Sequence, residues 1–326
     1  MPDSSESPTS SDSSDSTGIL SGRLLVVAFE GWNDAGDAAS GAVHTLKDLL
    51  DLQSIAAVDS EKYFDFQFNR PTVTTDEGGK RILVWPSVEI FGPASHQPKK
   101  ARGLAEDAEL SVSGDNGSNI HVLLGTEPSR NWRSFTAEIM ESVRQSGITG
   151  IVMLGAMLAD VPHTRPISIF ATSENAAVRT ELGIEKSAYE GPVGILSVLG
   201  EAAEAAGIPT LSIWASVPHY VHNAPSPKAT LALIDRLEEI IDVVIPRGDL
   251  VDESAAWESG IDALANDDDD MASYIRQLER ARDTVDSPEA SGEAIAKEFE
   301  QYLKRRDGKA DGRDQRPDDP WRPPTS

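Results

Sequence analysis

The sequence contains no cysteine. Catalysis by a thiolate, disulfide bonds and zinc sites built on cysteine are therefore excluded, and a chain of this size without cysteine is typical of an intracellular protein. It also has no apolar segment approaching the roughly 20 residues that a membrane-spanning helix needs. We therefore expect a cytoplasmic protein that does not span a membrane.

Basic side chains are scarce: 29 lysines and arginines stand against 54 aspartates and glutamates, for a formal net charge of −25. A surface of this sign repels phosphate backbones and anionic lipid headgroups, so neither nucleic acid nor a membrane is expected as a partner. The hydrophobic fraction of 39% over 326 residues suffices for one α/β domain with an appendage.

Composition divides the chain into four segments. Residues 1–18 are rich in Ser, Asp and Pro and lack the features of a signal peptide, so they are interpreted as a disordered tail. Residues 19–247 alternate between strand and helix patterns and predict the main domain. Residues 248–306 lose the strand pattern and predict an appendage of three helices with acidic faces. Residues 307–326 are polar and Pro-rich, which predicts a second disordered tail.

The main domain is organised around residues 24–43. The continuous apolar run 24–29 is typical of a central strand buried on both faces of a parallel sheet. A polar turn follows at 30–34, and small residues at helical spacing then predict a helix over 35–50 with Asp34 as its N-cap.

The rest of this domain repeats the strand–helix alternation. Because such alternation places helices on both faces of a sheet, we expect a three-layer α/β/α sandwich with a mostly parallel sheet. The sequence also predicts a hairpin outside this alternation, with strands at 72–75 and 81–85. The other expected strands lie at 55–58, 120–124, 149–154, 167–171 and 210–215, and the other expected helices at 131–146, 174–182, 192–206 and 227–245.

Polar, Trp-bearing or His-bearing loops follow four of these strands, at 30–34, 125–132, 155–165 and 215–223. The carboxyl ends of parallel strands share one edge of a sheet, and ligands bind there in open α/β sheets. We call the edge formed by these four loops the rim. Its candidate residues are Glu30, Trp32, Asn33, Asp34, Asp37, Glu127, Trp132, Asp160, His163, Arg165, His219, Tyr220 and Asn223.

A Val-Pro-His triplet occurs twice in the rim, at 161–163 and at 217–219. Proline restricts the backbone as it leaves the strand, and histidine titrates near neutral pH. In one interpretation the two histidines serve acid–base chemistry or an anion site with Arg165. In the other, each histidine caps loop carbonyls and stiffens the rim. No metal site or cofactor is predicted, because His219 and His222 have no third ligand in view and no phosphate-binding glycine motif is present.

Five motifs in order resemble the bacterial branch of the proteasome assembly chaperone 2 family. They are GWNDAGDAAS (31–40), GTEPSRNW (125–132), LGAMLADVPHTRP (154–166), YEGPVGILSVL (189–199) and WASVPHYVHNAPSPKATLALI (214–234). The resemblance covers about residues 20–245. It implies a fold similar to purine nucleoside phosphorylases and related hydrolases, self-assembly into homo-oligomers such as trimers, and an association with proteasome biogenesis. Some relatives dock on proteasome rings through a C-terminal hydrophobic-Tyr-any motif, whereas this sequence ends in PPTS (323–326), so that docking mode is not expected.

Two functions are therefore weighed. The first is a protein-binding, chaperone-like oligomeric scaffold whose partner could be proteasome subunits, and it is favoured because no catalytic triad, metal set or phosphate loop is recognisable. The second is a hydrolase-like, phosphorylase-like or ligase-like enzyme for a small anionic or amine-bearing metabolite. It would use Glu30, Asp34, His163 or His219 as acid and base and Arg165 as an anion clamp.

Overall fold

A computed structural model of the chain describes residues 18–20, 22–76, 78–93, 119–222, 224–241 and 244–286. The tails predicted from composition, apart from Gly18, and the last helix predicted for the appendage lie outside these ranges.

Seven strands form one sheet in the order β2-β5-β6-β1-β7-β9-β8, and two more form a separate hairpin, β3-β4. The strands are β1 Leu24–Glu30, β2 Gln53–Ala57, β3 Thr72–Thr75, β4 Arg81–Val84, β5 Val88–Gly92, β6 Ile120–Thr126, β7 Gly150–Ala159, β8 Ile169–Thr172 and β9 Thr210–Pro218. The helices are α1 Ala38–Leu49, α2 Ser60–Tyr63, α3 Trp132–Gln145, α4 Ala176–Leu182, α5 Ile195–Ala205, α6 Pro227–Ile241, α7 Leu250–Asn266 and α8 Asp269–Asp286.

Four central strands are parallel. β1 pairs in parallel with β6 and with β7, and β7 pairs in parallel with β9. The outer strands β2, β5 and β8 pair antiparallel with their neighbours, so the sheet is mixed and its parallel part is confined to the centre. The predicted α/β fold and the predicted hairpin are both confirmed.

Both faces of the central strands are buried. Along β1, Val26 and Ala28 enter the core that holds α1 and α6, whereas Val27 and Phe29 enter the core that holds α3 and α5. Side chains of a strand alternate between faces, so a run of apolar residues serves both layers at once. The three-layer arrangement follows from this double burial.

The structure corrects two local expectations. β5, between Pro86 and Pro93, was not predicted. The helix expected from residue 35 begins as α1 at Ala38, because Ala35–Asp37 form a 3-10 turn in which Gly36 and Asp37 have left-handed backbone angles. Asp34 nevertheless caps α1, since its Oδ1 accepts hydrogen bonds from the backbone N–H groups of Ala39 and Ser40.

The described residues divide into two compact units: the first ends at Asp269 in the sequence, and the second begins at Asp270. α7 belongs to the first unit, together with the sheet, and α8 lies almost entirely in the second. The boundary predicted near residue 247 stays a prediction. None of the helices in the described ranges combines the length and the apolar character needed to cross a membrane.

Replacing Gly125 with alanine is expected to destabilise the fold by about 2–3 kcal/mol. Gly125 has a φ of +152°, and a Cβ there would overlap the backbone carbonyl oxygen of Ser87 and lie 2.7 Å from Val88 Cα. The matched control is Gly260→Ala in α7, where a Cβ meets open space and should stabilise the helix by about 0.5–1 kcal/mol. Urea unfolding measures both changes, and a Gly125→Ala protein as stable as wild type would contradict the prediction.

Candidate functional site

The rim lies at a single edge of the sheet. Because β6, β1, β7 and β9 are mutually parallel, their carboxyl ends, from Glu30 and Thr126 to Ala159 and Pro218, face the same way. The loops are also joined to one another. The backbone N–H of Ala156 donates to the carbonyl oxygen of Asn33 at 2.8 Å, and the N–H of Glu127 donates to that of Glu30 at 3.0 Å.

The carboxylate of Glu127 organises the part of the rim next to β1 and β6. Its Oε1 accepts a hydrogen bond of 2.9 Å from the backbone N–H of Ile195, the first residue of α5, and one of 3.1 Å from Nδ2 of Asn33. A negative charge is favourable at a helix N-terminus, where the N–H groups have no partner within the helix. Gly194 permits this approach, because a Cβ there would overlap the side-chain amide of Asn33. Glu127 thus fastens α5 to the loop after β1.

Glu30, the first carboxylate of the rim, is exposed and accepts a hydrogen bond of 3.0 Å from the Thr126 hydroxyl on the neighbouring strand. Trp132 donates its indole N–H to the carbonyl oxygen of Pro128 at the start of α3. Asp37 is exposed in the turn before α1. Each of these side chains lies at the rim. Glu30 is bonded to a side chain of the neighbouring strand, and Trp132 to a backbone carbonyl of the loop after that strand.

Asp34 is the most deeply buried carboxyl group at the rim, with 4% of its surface exposed. Its Oδ1 caps α1 at 2.7 Å from Ala39 N, but its Oδ2 is buried with no hydrogen-bond partner among the residues that the structure describes. Burial raises the pKa of this carboxyl above its ordinary value of 3.8, and the hydrogen bonds from Ser40 and Ala39 oppose that rise without cancelling it. An acid group in this state is a typical feature of functional sites.

A second grouping surrounds His163, which is completely buried in the loop after β7. The hydroxyl oxygen of Tyr220 accepts a hydrogen bond of 2.8 Å from the backbone N–H of His163 and lies 2.9 Å from its Nδ1. On the other side of the ring, Nε2 lies 3.0 Å from Oδ1 of Asp262. Both ring nitrogens of His163 are therefore within hydrogen-bond distance of a side-chain oxygen, one from Tyr220 and one from Asp262.

Lys228 in α6 completes this grouping. Its ammonium donates to the carbonyl oxygen of His163 at 2.6 Å and forms an ion pair with Glu258 in α7. We call His163, Tyr220, Lys228, Glu258 and Asp262 the His163 cluster. It ties the loops after β7 and β9 to α6 and α7, and the His163 ring contacts a hydroxyl and a carboxylate where one interpretation expected a loop carbonyl.

Sequence reasoning missed Lys228, Glu258 and Asp262. Asp262 lies 99 residues beyond His163, on a helix whose charged residues resemble an ordinary solvated face. An aspartate or glutamate on a helix has the same local sequence pattern whether its side chain contacts a buried histidine or faces water.

The other candidate residues lie near this cluster or outside the described ranges. Nδ1 of His219 lies 3.2 Å from the carboxylate of Asp160, and the rings of His163 and His219 flank Tyr220 at 5.9 and 5.8 Å between centroids. Arg165 is partly buried, with its Nη1 3.4 Å from the carbonyl oxygen of the adjacent Thr164. Asn223 lies outside the described residues. Within the described ranges, no group of three His, Asp or Glu side chains is arranged to hold a metal ion.

Large apolar side chains are exposed between these polar groupings. Trp32, after β1, has 64% of its surface exposed, and Met157 and Leu158 near the end of β7 are also exposed. The loops that carry them are joined by the hydrogen bond between Ala156 and Asn33. The rim therefore presents apolar side chains to solvent while most of its polar side chains bond to neighbouring parts of the chain.

A family model described as the PAC2 family matches residues 28–265. Among solved structures, the chain is similar to a PAC2 family protein from Streptomyces avermitilis, with 41% identity over 77% of this chain and 99% of that one and a TM-score of 0.65. It is also similar to the Mycobacterium tuberculosis proteasome-assembly chaperone homologue Rv2125, with 38% identity, the same coverage and a TM-score of 0.63. No curated protein sequence matches the chain.

The fold extends to more distant proteins. Pyrococcus furiosus PbaA, described as an archaeal homologue of proteasome-assembly chaperone, has 16% identity over 81% of this chain and 96% of that one and a TM-score of 0.51. At this identity the likeness concerns the fold alone.

Asp34→Asn is expected to leave the protein as stable as wild type or more stable at neutral pH. The amide keeps the Oδ1 acceptor that caps α1 and removes a buried charge. A carboxyl whose folded pKa is raised stabilises the fold below its unfolded pKa and loses that contribution as the pH rises through the folded pKa. The advantage of Asn over Asp should therefore be larger at about pH 7.5 than at about pH 5.0 in urea unfolding.

The exposed neighbour Asp37→Asn controls for the loss of one negative charge from an acidic protein. Its stability difference from wild type should be small at both pH values, because an exposed carboxylate loses little solvation on folding. Equal effects of Asp34→Asn and Asp37→Asn at both pH values would contradict the argument from burial.

Asp262→Ala is expected to release α7 from the loop after β7. The variant loses the acceptor for Nε2 of the buried His163, which should cost about 1–3 kcal/mol and speed amide hydrogen exchange across Leu250–Asn266. Asp262→Asn retains Oδ1 and is the matched control, with exchange close to wild type. Unchanged exchange in α7 of Asp262→Ala would show that the His163 cluster does not hold this helix.

Proposed function

Because this chain belongs to the PAC2 family, we propose that it is a protein-binding, proteasome-assembly-chaperone-like protein that acts as an oligomeric scaffold in the cytoplasm. The name of its Mycobacterium tuberculosis relative, a proteasome-assembly chaperone homologue at 38% identity, supports proteasome subunits as the partner class.

The proposal rests on a contrast at the rim: several of its polar side chains bond to other parts of the chain, whereas several of its apolar side chains face solvent. Glu127, His163 and Oδ1 of Asp34 are bonded to helices or loops of the chain itself. The side chains that face solvent nearby include Trp32 and Leu158. Exposed aromatic and aliphatic groups on a rigid frame are typical of protein interfaces, because their burial against a partner supplies most of the binding free energy.

Charge favours a particular kind of partner surface. With a net charge of −25, the chain repels other acidic proteins over most of its surface. A partner that presents an apolar patch with a neutral or basic border would meet Trp32 and Met157 without that repulsion. Complementarity of this kind increases the association rate and excludes acidic competitors.

The test is a pull-down from native lysate of cells that contain the proteasome, with mass spectrometry of the captured proteins. Wild type should recover proteasome subunits. The double variant Trp32→Ser/Leu158→Ser removes two exposed apolar groups of the rim and should recover at least about tenfold less. His163→Ala/His219→Ala keeps these apolar groups and, once shown to be folded, should still capture the subunits.

The matched control is Val251→Ser/Leu264→Ser, which removes two exposed aliphatic groups from α7. It should capture as much as wild type. A wild-type protein that recovers no proteasome subunit, or equal capture by the rim variant and wild type, would refute the proposal.

Asp34 favours a second candidate function, an enzyme acting on a small metabolite. A buried carboxyl with one oxygen lacking a described partner and a raised pKa keeps its proton to a higher pH than an ordinary carboxyl, which suits it to proton transfer. A metabolite that co-purifies with wild type and is lost from Asp34→Asn, in the absence of captured proteins, would support this function over the first.

A further inference from the structure

Helix α7 is only lightly packed within the first compact unit. Of its 17 residues, the buried ones are Ser254, Ile261 and Ala265, and most of the others are exposed. A helix that buries so little apolar surface gains little stability from packing, and such an element opens more readily than a core helix does. The attachment of α7 therefore depends strongly on its polar contacts.

Those polar contacts come from one face of α7. Glu258 and Asp262 are four residues apart, so their carboxylates lie on the same side of the helix. Glu258 forms an ion pair with Lys228 of α6, and Oδ1 of Asp262 lies 3.0 Å from Nε2 of His163. The ring of Trp257 lies edge-on to the ring of His163, with 6.4 Å between centroids. On this face, α7 thus presents an aromatic ring and two carboxylates to α6 and to the loop after β7.

His163 and Lys228 form the surface that these groups of α7 contact, and we call this surface the α7 site. Lys228 lies in the first turn of α6, where its ammonium adds to the positive end of the helix dipole, although the whole chain carries −25. Nζ of Lys228 also donates to the carbonyl oxygen of His163 at 2.6 Å, and the hydroxyl of Tyr220 lies 2.9 Å from Nδ1 of His163. These contacts do not involve α7, so they can orient both side chains of the site when α7 is absent.

The contacts between α7 and this site are of a kind that a competitor can replace. The side chains of Lys228 and Glu258 keep 17% and 35% of their surface exposed, and that of Asp262 keeps 55%. Partly exposed ion pairs contribute little to stability, because water screens them. Well-packed apolar side chains in their place would attach a permanent helix more strongly. The polar attachment therefore suits a helix that another helix displaces.

We infer that the α7 site is a docking site for an acidic amphipathic helix of a protein partner, and that α7 fills this site in the free chain. The residues of α7 that contact the site describe the partner helix. It has an aromatic residue followed by a carboxylate, as in Trp257-Glu258, and an apolar residue followed by a carboxylate one turn later, as in Ile261-Asp262. Amphipathic helices bind through residues at such spacings on one face. Since this inference rests on the proposed function, the partner is the protein that the rim recognises.

The α7 site adjoins the rim. β7 carries the exposed Leu158 and leads directly into the loop that contains His163. Tyr220, which lies against the ring of His163, follows β9, the parallel neighbour of β7. A partner that covers the apolar side chains of the rim can therefore extend a helix onto the site, and two contacts with one partner increase its affinity. Repulsion by the acidic chain disfavours an acidic helix elsewhere on the surface.

The test is the fluorescence anisotropy of a labelled peptide that has the sequence of residues 250–266 and blocked ends, titrated with the full-length protein. Binding to wild type should be weak, because α7 fills the site. Glu258→Ala/Asp262→Ala removes both carboxylates of the competing helix, and this variant should bind the peptide at least about tenfold more tightly than wild type does. The matched control is Asp252→Ala/Glu253→Ala, which removes the same two charges from exposed positions of α7 and should bind the peptide as weakly as wild type.

Two further measurements keep the test decisive. Lys228→Gln, added to Glu258→Ala/Asp262→Ala, should weaken peptide binding by about tenfold, with the folding of each variant checked by circular dichroism. In isotope-labelled wild type, a large excess of the unlabelled peptide should displace α7 and speed its amide hydrogen exchange. A peptide with alanine at positions 258 and 262 should leave that exchange unchanged.

Several results would overturn the inference. They are equal peptide binding by wild type and by Glu258→Ala/Asp262→Ala, equally tight binding by the Asp252→Ala/Glu253→Ala control, binding that Lys228→Gln leaves unchanged, and exchange in α7 that the peptide does not alter. A molar mass of Glu258→Ala/Asp262→Ala above that of wild type would show that a second copy fills the site, and would overturn the inference as well.

The pull-down separates this inference from the proposed function. If wild type captures no proteasome subunit, yet the peptide binds Glu258→Ala/Asp262→Ala tightly and Lys228→Gln weakens that binding, the function fails and the docking site stands. If wild type captures the subunits and the peptide binds no variant more tightly than wild type, the docking site fails and the function stands.

Discussion

Parallel pairing of four strands buried on both faces is the constraint on which the rest of this structure depends. Since both faces of β6, β1, β7 and β9 are covered by helices, polar groups are displaced to the ends of the strands. Because these four strands run in the same direction, the loops that follow them lie close together at one edge of the sheet, although they come from distant parts of the chain. Asn33 meets Glu127 from 94 residues away, and His163 meets Asp262 from 99 residues away.

Gathering polar side chains at one edge creates a demand for hydrogen bonds, because a buried polar group without a partner costs free energy. Glu127 accepts a hydrogen bond from the N-terminus of α5, and the ring of His163 lies within hydrogen-bond distance of Tyr220 and of Asp262 in α7. The polar side chains named above are thus bonded within the chain, and the exposed side chains near them include large apolar groups. Asp34 departs from this pattern, since one of its oxygens is buried without a described partner.

The acidic composition shapes how the protein can associate. A net charge of −25 keeps copies apart over most of their surface, so contact depends on the few segments that are apolar and not acidic. Exposed apolar side chains lie at the rim around Trp32 and on the β3–β4 hairpin.

The sequence by itself determined the central strand, the alternation of strands and helices, the hairpin and the family, because apolar runs, turn residues and ordered motifs are local signals. Only the tertiary structure decided the rest. β5 lies between two prolines and becomes a strand through its pairing with β2 and β6. Because of the left-handed turn at Gly36, α1 begins later in the sequence than predicted. The partners of His163 include residues of helices far along the chain. A charged residue on a helix carries no local mark of the side chain it will meet, because that meeting depends on how whole elements pack.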